Sequence, residues 1–460
     1  MQERILRTRT IRVQWSKTAG LGLLAAVCAC ASAQISLTSA VDLALRNNPK
    51  VLAAQASLDK AKAALAQAHD AFVPSAGISG GYGGSTGVPL SVPVVFSISS
   101  QSLVFNFSQP DYIRAAAAGV QSATFALQDA RDQIAEDVVV TYLSLDNAQQ
   151  RQAAMQQEYA FATRLLRIVQ DRLDAGHDSQ IEFLGARLTA DQIRAAQLQT
   201  DDEIVALADH LSRLTGLPEH TLTAVSSSIP ALPSLDSLPG NGPESAGIQA
   251  AFSIAKSKQE TAFGDARYRF HPVFSFDANY SRISTSHTNY SLYYPGFMND
   301  RHLSDNALSA GVSIQIPLFD RGHQDKAHES AAEATRARFE AEEQRNQFFE
   351  GQLKLRHSIN ELQANSKVAE DYRDIAQAKL NAVMVQLSAK AGDPNKPQLT
   401  PKDEQNARLQ ERQRFVELLN MQFQLSQAQV NLMRQTGQLD PWLKAAATLP
   451  AATSITPLAH

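Results

Sequence analysis

The chain has 460 residues, 44% of them hydrophobic and 19% charged, with a formal net charge of −4 and two cysteines. Near-balanced charge argues against a nucleic-acid binder, which needs a basic patch, and two cysteines cannot build a disulfide framework or a Cys-rich zinc site. A mean hydropathy of −0.24 excludes a bundle of membrane helices, each needing ~20 apolar residues, yet leaves membrane strands open, because their alternating faces are only half apolar.

The amino terminus reads as an export signal over residues 1–33. Arg4, Arg7, Arg9, Arg12 and Lys17 form a basic region, Leu21 to Ala29 a short apolar core, and Ala31-Ser32-Ala33 a small-x-small cleavage pattern before Gln34. Lipid attachment at Cys30, after Val27-Cys28-Ala29, is the alternative to cleavage after Ala33. Both cysteines lie inside this segment, and losing its five positive charges and one negative charge takes the net charge from −4 to −8.

In chain order, an Ala-rich helix is predicted over about 38–72, with Thr38 or Ser39 as its cap and Pro74 as its stop. A Gly/Ser-rich alternating stretch follows, then a very long helical run over about 111–216, interrupted near Gly176. Pro218, Pro230, Pro233, Pro239 and Pro243 punctuate a linker over 218–243. The order then repeats as helix (244–269), strand, loop, strand, long helix (322–390), a Pro-rich turn and a last helix (402–437). A flexible tail is expected over 441–460.

The halves echo each other in residues too. Phe72-x-Pro74 with Tyr82 recurs as Phe270-x-Pro272 with Tyr280 at the same spacing, and Arg213-x-Thr215-Gly216 recurs as Arg434-x-Thr436-Gly437. A two-fold repeat of ~200 residues is too long for a solenoid unit and reads as duplication of a half-molecule.

The strands are clearest in the second half. Phe274, Phe276, Ala278 and Tyr280 alternate with polar residues, as do Leu308, Ala310, Val312, Ile314 and Ile316. In the first half Ile78 and Tyr82, then Val94, Phe96 and Ile98, alternate with Ser and Gly. Each second-half run has the ~10-residue length of a tilted membrane strand. A water-soluble sheet covered on one face is the ordinary alternative, but helices this long cannot wrap around four strands. An open sheet edge in lipid leaves N–H and C=O groups without partners, and membrane barrels begin at roughly eight strands. Strands that span a membrane here therefore require several chains.

Ile134, Val138, Thr141, Leu145, Ala148, Gln152, Met155, Tyr159, Ala162, Leu166, Val169 and Leu173 recur at 4-3 spacing, a coiled-coil seam. Leu409, Val416, Leu419, Phe423, Ser426, Val430 and Met433 form a second. Alanine between the seams leaves slim faces, so helices can pack on more than one side into a curved wall.

These residues resemble the TolC-type outer membrane efflux proteins, over about 35–440. The segment Leu37-Thr38-Ser39-Ala40-Val41-Asp42-Leu43-Ala44-Leu45-Arg46-Asn47-Asn48-Pro49 is similar to that family's first-helix signature. Ala71-Phe72-x-Pro74-Ser75 resembles its entry into the first strand, and Ile316-Pro317-Leu318-Phe319-Asp320-Arg321-Gly322 its strand-to-helix junction. Arg172-Leu173-Asp174-Ala175-Gly176 resembles its hairpin turn, and Leu214-Thr215-Gly216-Leu217 a helix end.

The resemblance implies a mainly α fold with transmembrane β: a periplasmic α-barrel of coiled-coil helices plus four strands per chain of a trimeric, twelve-stranded outer-membrane barrel. It implies repeats over 34–217 and 244–440, a homotrimer in outer-membrane lipid, and partners in a periplasmic adaptor and an inner-membrane pump. No enzyme activity, cofactor, metal or nucleic acid is expected. The implied function is the passive exit duct of a tripartite efflux or type I secretion system. Two departures stand out. Leu103-Val104-Phe105-Asn106 replaces the expected junction in the first half, and the second tip, Ala389 to Pro397 with Pro401, is enlarged.

The expected adaptor contact is the tip at Asp174, Ala175 and Gly176, with Gly392 and Asp393 on the second tip; the plain reading of Gly176 is a helix-ending turn. Asp403 and Glu404, repeated by symmetry, would form an acidic gate ring, or else simply stabilise a helix N-terminus. Pro317, Leu318, Phe319, Asp320 and Gly322 mark the strand-to-helix junction. Tyr290, Tyr293, Tyr294 and Phe297 would lie on an outward loop over 282–306. Two rivals remain: a periplasmic coiled-coil adaptor or scaffold, and an exported hydrolase using Ser79 of Gly77-Ile78-Ser79-Gly80-Gly81. That motif lacks the strand–turn–helix context of a nucleophile elbow. His323 and His328 are five apart and miss the i, i+4 spacing of a helical metal pair.

Overall fold

The computed structural model describes residues 33–81, 94–218, 222–235, 244–268, 270–283, 306–388 and 399–448. The export segment up to Ser32, Cys30 included, the loop 284–305 with its aromatics, and the second tip with Gly392 and Asp393 lie outside them.

Fourteen α and β elements follow one another among the described residues. They are β1 (Ala33–Ile35), α1 (Leu37–Asn47), α2 (Pro49–Asp70), β2 (Ser75–Gly80), β3 (Val94–Phe105), α3 (Gln109–Asp174) and α4 (Gln180–Thr215). After these come β4 (Leu222–Ala224), α5 (Ala246–Ala266), β5 (Val273–Ile283), β6 (Asn306–Gln315), α6 (Arg321–Ser388), α7 (Pro401–Gln435) and α8 (Leu439–Thr448). The single helix expected over 38–72 is two. Pro49 carries no N–H to continue α1, and Asn48 turns the chain by accepting a hydrogen bond from the Lys50 N–H at 2.9 Å, capping α2.

At 66 and 68 residues, α3 and α6 are each about 100 Å long at ~1.5 Å per residue. They organise a wall one helix thick. Toward the sheet the main contacts run α2–α3–α5–α6, and away from it α4–α3–α7–α6. No position of the first seam is exposed, and Ile134, Val138, Leu145, Ala148, Ala162 and Val169 are buried. No described helix is long and apolar enough to cross a membrane.

The main core sits midway along the wall. There Leu37, Val41, Ile134, Val138, Tyr142, Leu145, Leu211, Ile359, Val430 and Met433 pack together. Parts of the expected linker and of the expected tail are docked onto it. In the linker, β4 pairs in parallel with β1 and buries Leu222. Tyr142 ties both strands down: its hydroxyl donates to the Ile35 carbonyl at 2.8 Å and accepts from the Val225 N–H at 2.7 Å. The tail expected over 441–460 is helical as far as Thr448, because Leu439 and Leu443 find this same core. A smaller cluster of Ala162, Leu165, Val169, Ala186, Ile193 and Leu409 joins α3, α4 and α7 nearer the tip.

The other four strands make one antiparallel sheet in the order β2-β3-β5-β6. It stands beyond the helix ends, with β2 and β6 as open edges.

Candidate channel wall and hairpin tip

Strand alternation and register together sort the sheet into two chemically distinct faces. On one face Phe274, Phe276, Ala278 and Tyr280 stand opposite Ile314, Val312, Ala310 and Leu308, and Ile78 stands opposite Ile98. Much of this face lies open: Leu308 is 78% and Ile78 73% exposed, while Phe274, Phe276, Ala278 and Tyr280 are half-buried. The opposite face carries Ser75, Ser79, Ser97, Ser99, Gln101, Ser275, Asp277, Asn279, Ser281, Ser309 and Ser313. Hydroxyls bridge strands there, with Ser79 Oγ to Ser97 Oγ and Ser275 Oγ to Ser313 Oγ both at 2.6 Å. A sheet this open on its apolar face is built for hydrocarbon on that side and water on the other. Ser79 is thus one rung of a serine ladder on a strand, and among the described residues its hydroxyl bonds another serine and not an acid–base partner.

The two junctions at the sheet's base use different turns. The Asp320 carboxylate accepts the His323 N–H at 3.0 Å and caps α6. In the first half Asn106 accepts the Ser108 N–H at 2.9 Å in a local turn ahead of α3, whose cap residue Ser108 makes no side-chain cap bond. Pro317 follows β6, Gly322 sits in the first turn of α6, and Leu318 and Phe319 are 73% and 83% exposed. Arg321 stands 5.9 Å over the Phe319 ring.

Sequence reasoning missed the aromatic group beside this junction. Phe107 meets Phe105 edge-on at 4.8 Å and His271 at 4.8 Å, while Phe105 reaches Phe274 at 6.2 Å. The spaced pair Phe105-x-Phe107 next to a strand end was its signal. Beneath it lie two buried carboxylates. Asp111 pairs with Arg114 and Arg267, and Asp265 accepts from the Tyr112 hydroxyl and from Ser330, each at 2.6 Å. Burial, and then the hydrogen bond to Asp265, hold the Tyr112 hydroxyl above its ordinary pKa. His323 stacks on Tyr268 at 3.6 Å, and among the described residues no cluster is arranged to hold a metal ion.

At the far end, α3 stops because Gly176 takes φ +76° and the His177 N–H closes on the Arg172 carbonyl at 2.8 Å. Asp174, Ala175 and Gly176 form an exposed turn. Behind it α4 starts on a capping box in which Ser179 and Glu182 satisfy each other's backbone. A charge network then joins the two hairpins. Arg172 reaches Asp178 at 2.9 Å, and Lys402 of α7 reaches Asp178 at 3.2 Å and Glu182 at 2.7 Å. Arg172 holds the Asp178 carboxyl below its usual range, Lys402 does so for Glu182, and Glu182 raises Lys402. Asp403 closes the capping box with Thr400, and Glu404 binds Arg408 at 2.7 Å, so both acidic residues have local partners.

Residues 40–217 match the family model described as outer membrane efflux protein. No curated protein matches the sequence. Among solved structures, the CmeC outer membrane channel of Campylobacter jejuni has a TM-score of 0.69 at 14% identity, over 90% of this chain and 89% of that one. The outer membrane protein VceC of Vibrio cholerae has a TM-score of 0.68 at 18% identity, over 87% and 96%. The fold is that of an outer-membrane channel subunit, with long helices for an α-barrel and strands for a membrane barrel. The family match covers the first of the two repeats, and the solved channels share the fold over most of the chain.

Proposed function

We propose that the protein is the passive outer-membrane exit duct of a tripartite efflux or type I secretion system. The observation that carries this reading is the four-stranded sheet. It has a largely open apolar face, a hydroxyl-lined opposite face and two unpaired edges, and it is held at the end of helices about 100 Å long. Backbone groups at those edges must find partners before the sheet can enter lipid. Three copies supply twelve strands and close the barrel, and the two repeats make its helical tunnel pseudo-sixfold. An adaptor meets the tips at Asp174, Ala175 and Gly176, with Gly392 and Asp393 contributing from the second hairpin. An inner-membrane pump supplies the driving force. In an acidic ring at the constriction Asp403 is the stronger contributor, since Glu404 is partly neutralised by Arg408.

Adding the purified protein to a planar bilayer tests the reading, with discrete conductance steps as the expected result. A monomer that gives no conductance and leaves the outer membrane in a salt wash would instead identify a periplasmic scaffold.

A further inference from the structure

The internal duplication determines which residues of two neighbouring chains lie opposite each other. Phe270 and Pro272 lie 198 residues beyond Phe72 and Pro74, which superposes β5 on β2. Phe319 and Asp320 lie 214 residues beyond Phe105 and Asn106, each Phe followed by a side chain that accepts a backbone N–H at the strand-to-helix junction, which superposes β6 on β3. The hydrogen-bond ladders obey both offsets. Ile78 stands opposite Ile98 in the first hairpin, and their counterparts Phe276 and Val312 stand opposite each other in the second. Ser75 opposite Gln101 likewise maps onto Val273 opposite Gln315.

The chain also contains one junction between repeats, β3 against β5, where Gln101 faces Asp277, Ser102 faces Phe276 and Ser100 faces Ala278. In a ring of identical chains β6 meets the next chain's β2, which is the same junction one repeat further on. We propose that β6 pairs with β2 of a second copy so that Gln315 lies opposite Ser79, Ile316 opposite Ile78 and Ile314 opposite Gly80. This rests on the channel reading above and specifies its subunit contact.

Two independent features fit this register. The first is hydrogen-bond direction. The Gly81 N–H donates to the Val95 carbonyl at 3.1 Å, so alternation turns Ile78 and Gly80 toward the open edge. On the other edge the Phe270 N–H donates to the Pro317 carbonyl at 3.4 Å, so Pro317 faces its own chain and Ile314 and Ile316 face outward. The proposed partners are thus the residues whose backbone groups point at the seam, and Pro317, without an N–H, falls where none is needed. The second is side-chain parity. Ile316 meets Ile78 on the apolar face, and Gln315 meets Ser79 on the polar face. A slip of one residue would set apolar against polar along the whole seam.

Gln315 and Ser79 form a non-hydrogen-bonded pair, with Cα atoms about 4.5 Å apart, within reach of a disulfide. The two native cysteines lie in the export segment, so introduced thiols report cleanly. The full-length protein carrying S79C and Q315C together is expected to form an oxidant-dependent, reducible ladder of dimer and trimer on denaturing gels. Neither single variant should do so, and S79C with S313C should give a several-fold weaker ladder. A stable trimer whose stronger ladder comes from S79C with S313C, or that gives none from either pair, overturns the register alone. A protein that stays monomeric in detergent, gives no ladder and does not conduct overturns the channel reading with it.

Discussion

Two short motifs show how single residues end the long helices. Thr215 and Thr436, both buried, bond back to the carbonyls of Leu211 at 2.8 Å and Leu432 at 2.9 Å. Gly216 and Gly437 then take φ +74° and +70°, so the echoed Arg-x-Thr-Gly is one cap used twice. Gly176 has nothing within 4 Å of where a Cβ would stand, so Gly176→Ala should cost only the left-handed penalty. That is about 1–2 kcal/mol, read as a small drop in melting temperature. A bulky residue there should weaken adaptor cross-linking while the oligomer persists. Gly264 is the contrasting case. A Cβ would lie 2.7 Å from Tyr112 Cε1, so Gly264→Ala should displace that ring from Asp265 and cost about 1–3 kcal/mol. Thermal unfolding of the two variants side by side checks the difference. None of this is written in glycine content alone: Gly176 could be read from its place at a helix end, but the need for Gly264 arises from a ring on another helix.

The helices themselves were largely legible, because a 4-3 repeat over many turns has no other stable use than a seam. Less legible was the polar chemistry buried between them. Glu158 of α3 is 6% exposed, and burial raises its pKa although Gln413 of α7 donates to it. A carboxylate with a raised folded pKa destabilises the fold above its ordinary range, and the loss disappears as pH falls. Glu158→Gln should therefore raise the melting temperature at pH 7 and change little near pH 4. The tip network has the opposite sign on its acidic side. Asp178 and Glu182 are depressed, so their contribution is present above the ordinary carboxylate range, ~4, and is lost as pH falls through the lowered values. Lys402 is raised, so its share is present below the ordinary lysine value and lost only as pH climbs past the folded one. Amide exchange at residues 176–182 and 399–405, taken relative to the unstructured chain at the same pH, should thus stay slow at neutral pH and quicken in acid. Lys402→Met should quicken it at pH 7 without touching the middle of α3.

For the molecule as a whole, the wall of single helices and the open sheet share one consequence: neither is complete in one chain. The exposed faces of α4 and α6 include Ile181, Leu188, Val205, Phe339, Val368 and Ile375, spread along the helices rather than gathered in a patch. Oligomer loss should therefore affect both ends together. Blocking the seam at the strands, for instance with Ile78→Pro, should abolish both conductance and the trimer peak in light scattering, because proline removes an edge donor that pairing requires.

The sequence by itself determined the element order, the duplication, the two-faced strands and the seams. Those depend on periodicity and on turn residues, which act over a few neighbours. Within the described parts of the expected linker and tail, β4 and α8 form, which the local residue pattern does not reveal. Only the tertiary structure supplied the groups that hold them: the Tyr142 hydroxyl joining Ile35 to Val225, and the core surface that receives Leu439 and Leu443. The charge network joining residues 172, 178, 182 and 402 is of the same kind. Lys402 lies more than two hundred residues beyond the other three and meets them only because two separate hairpins pack against each other.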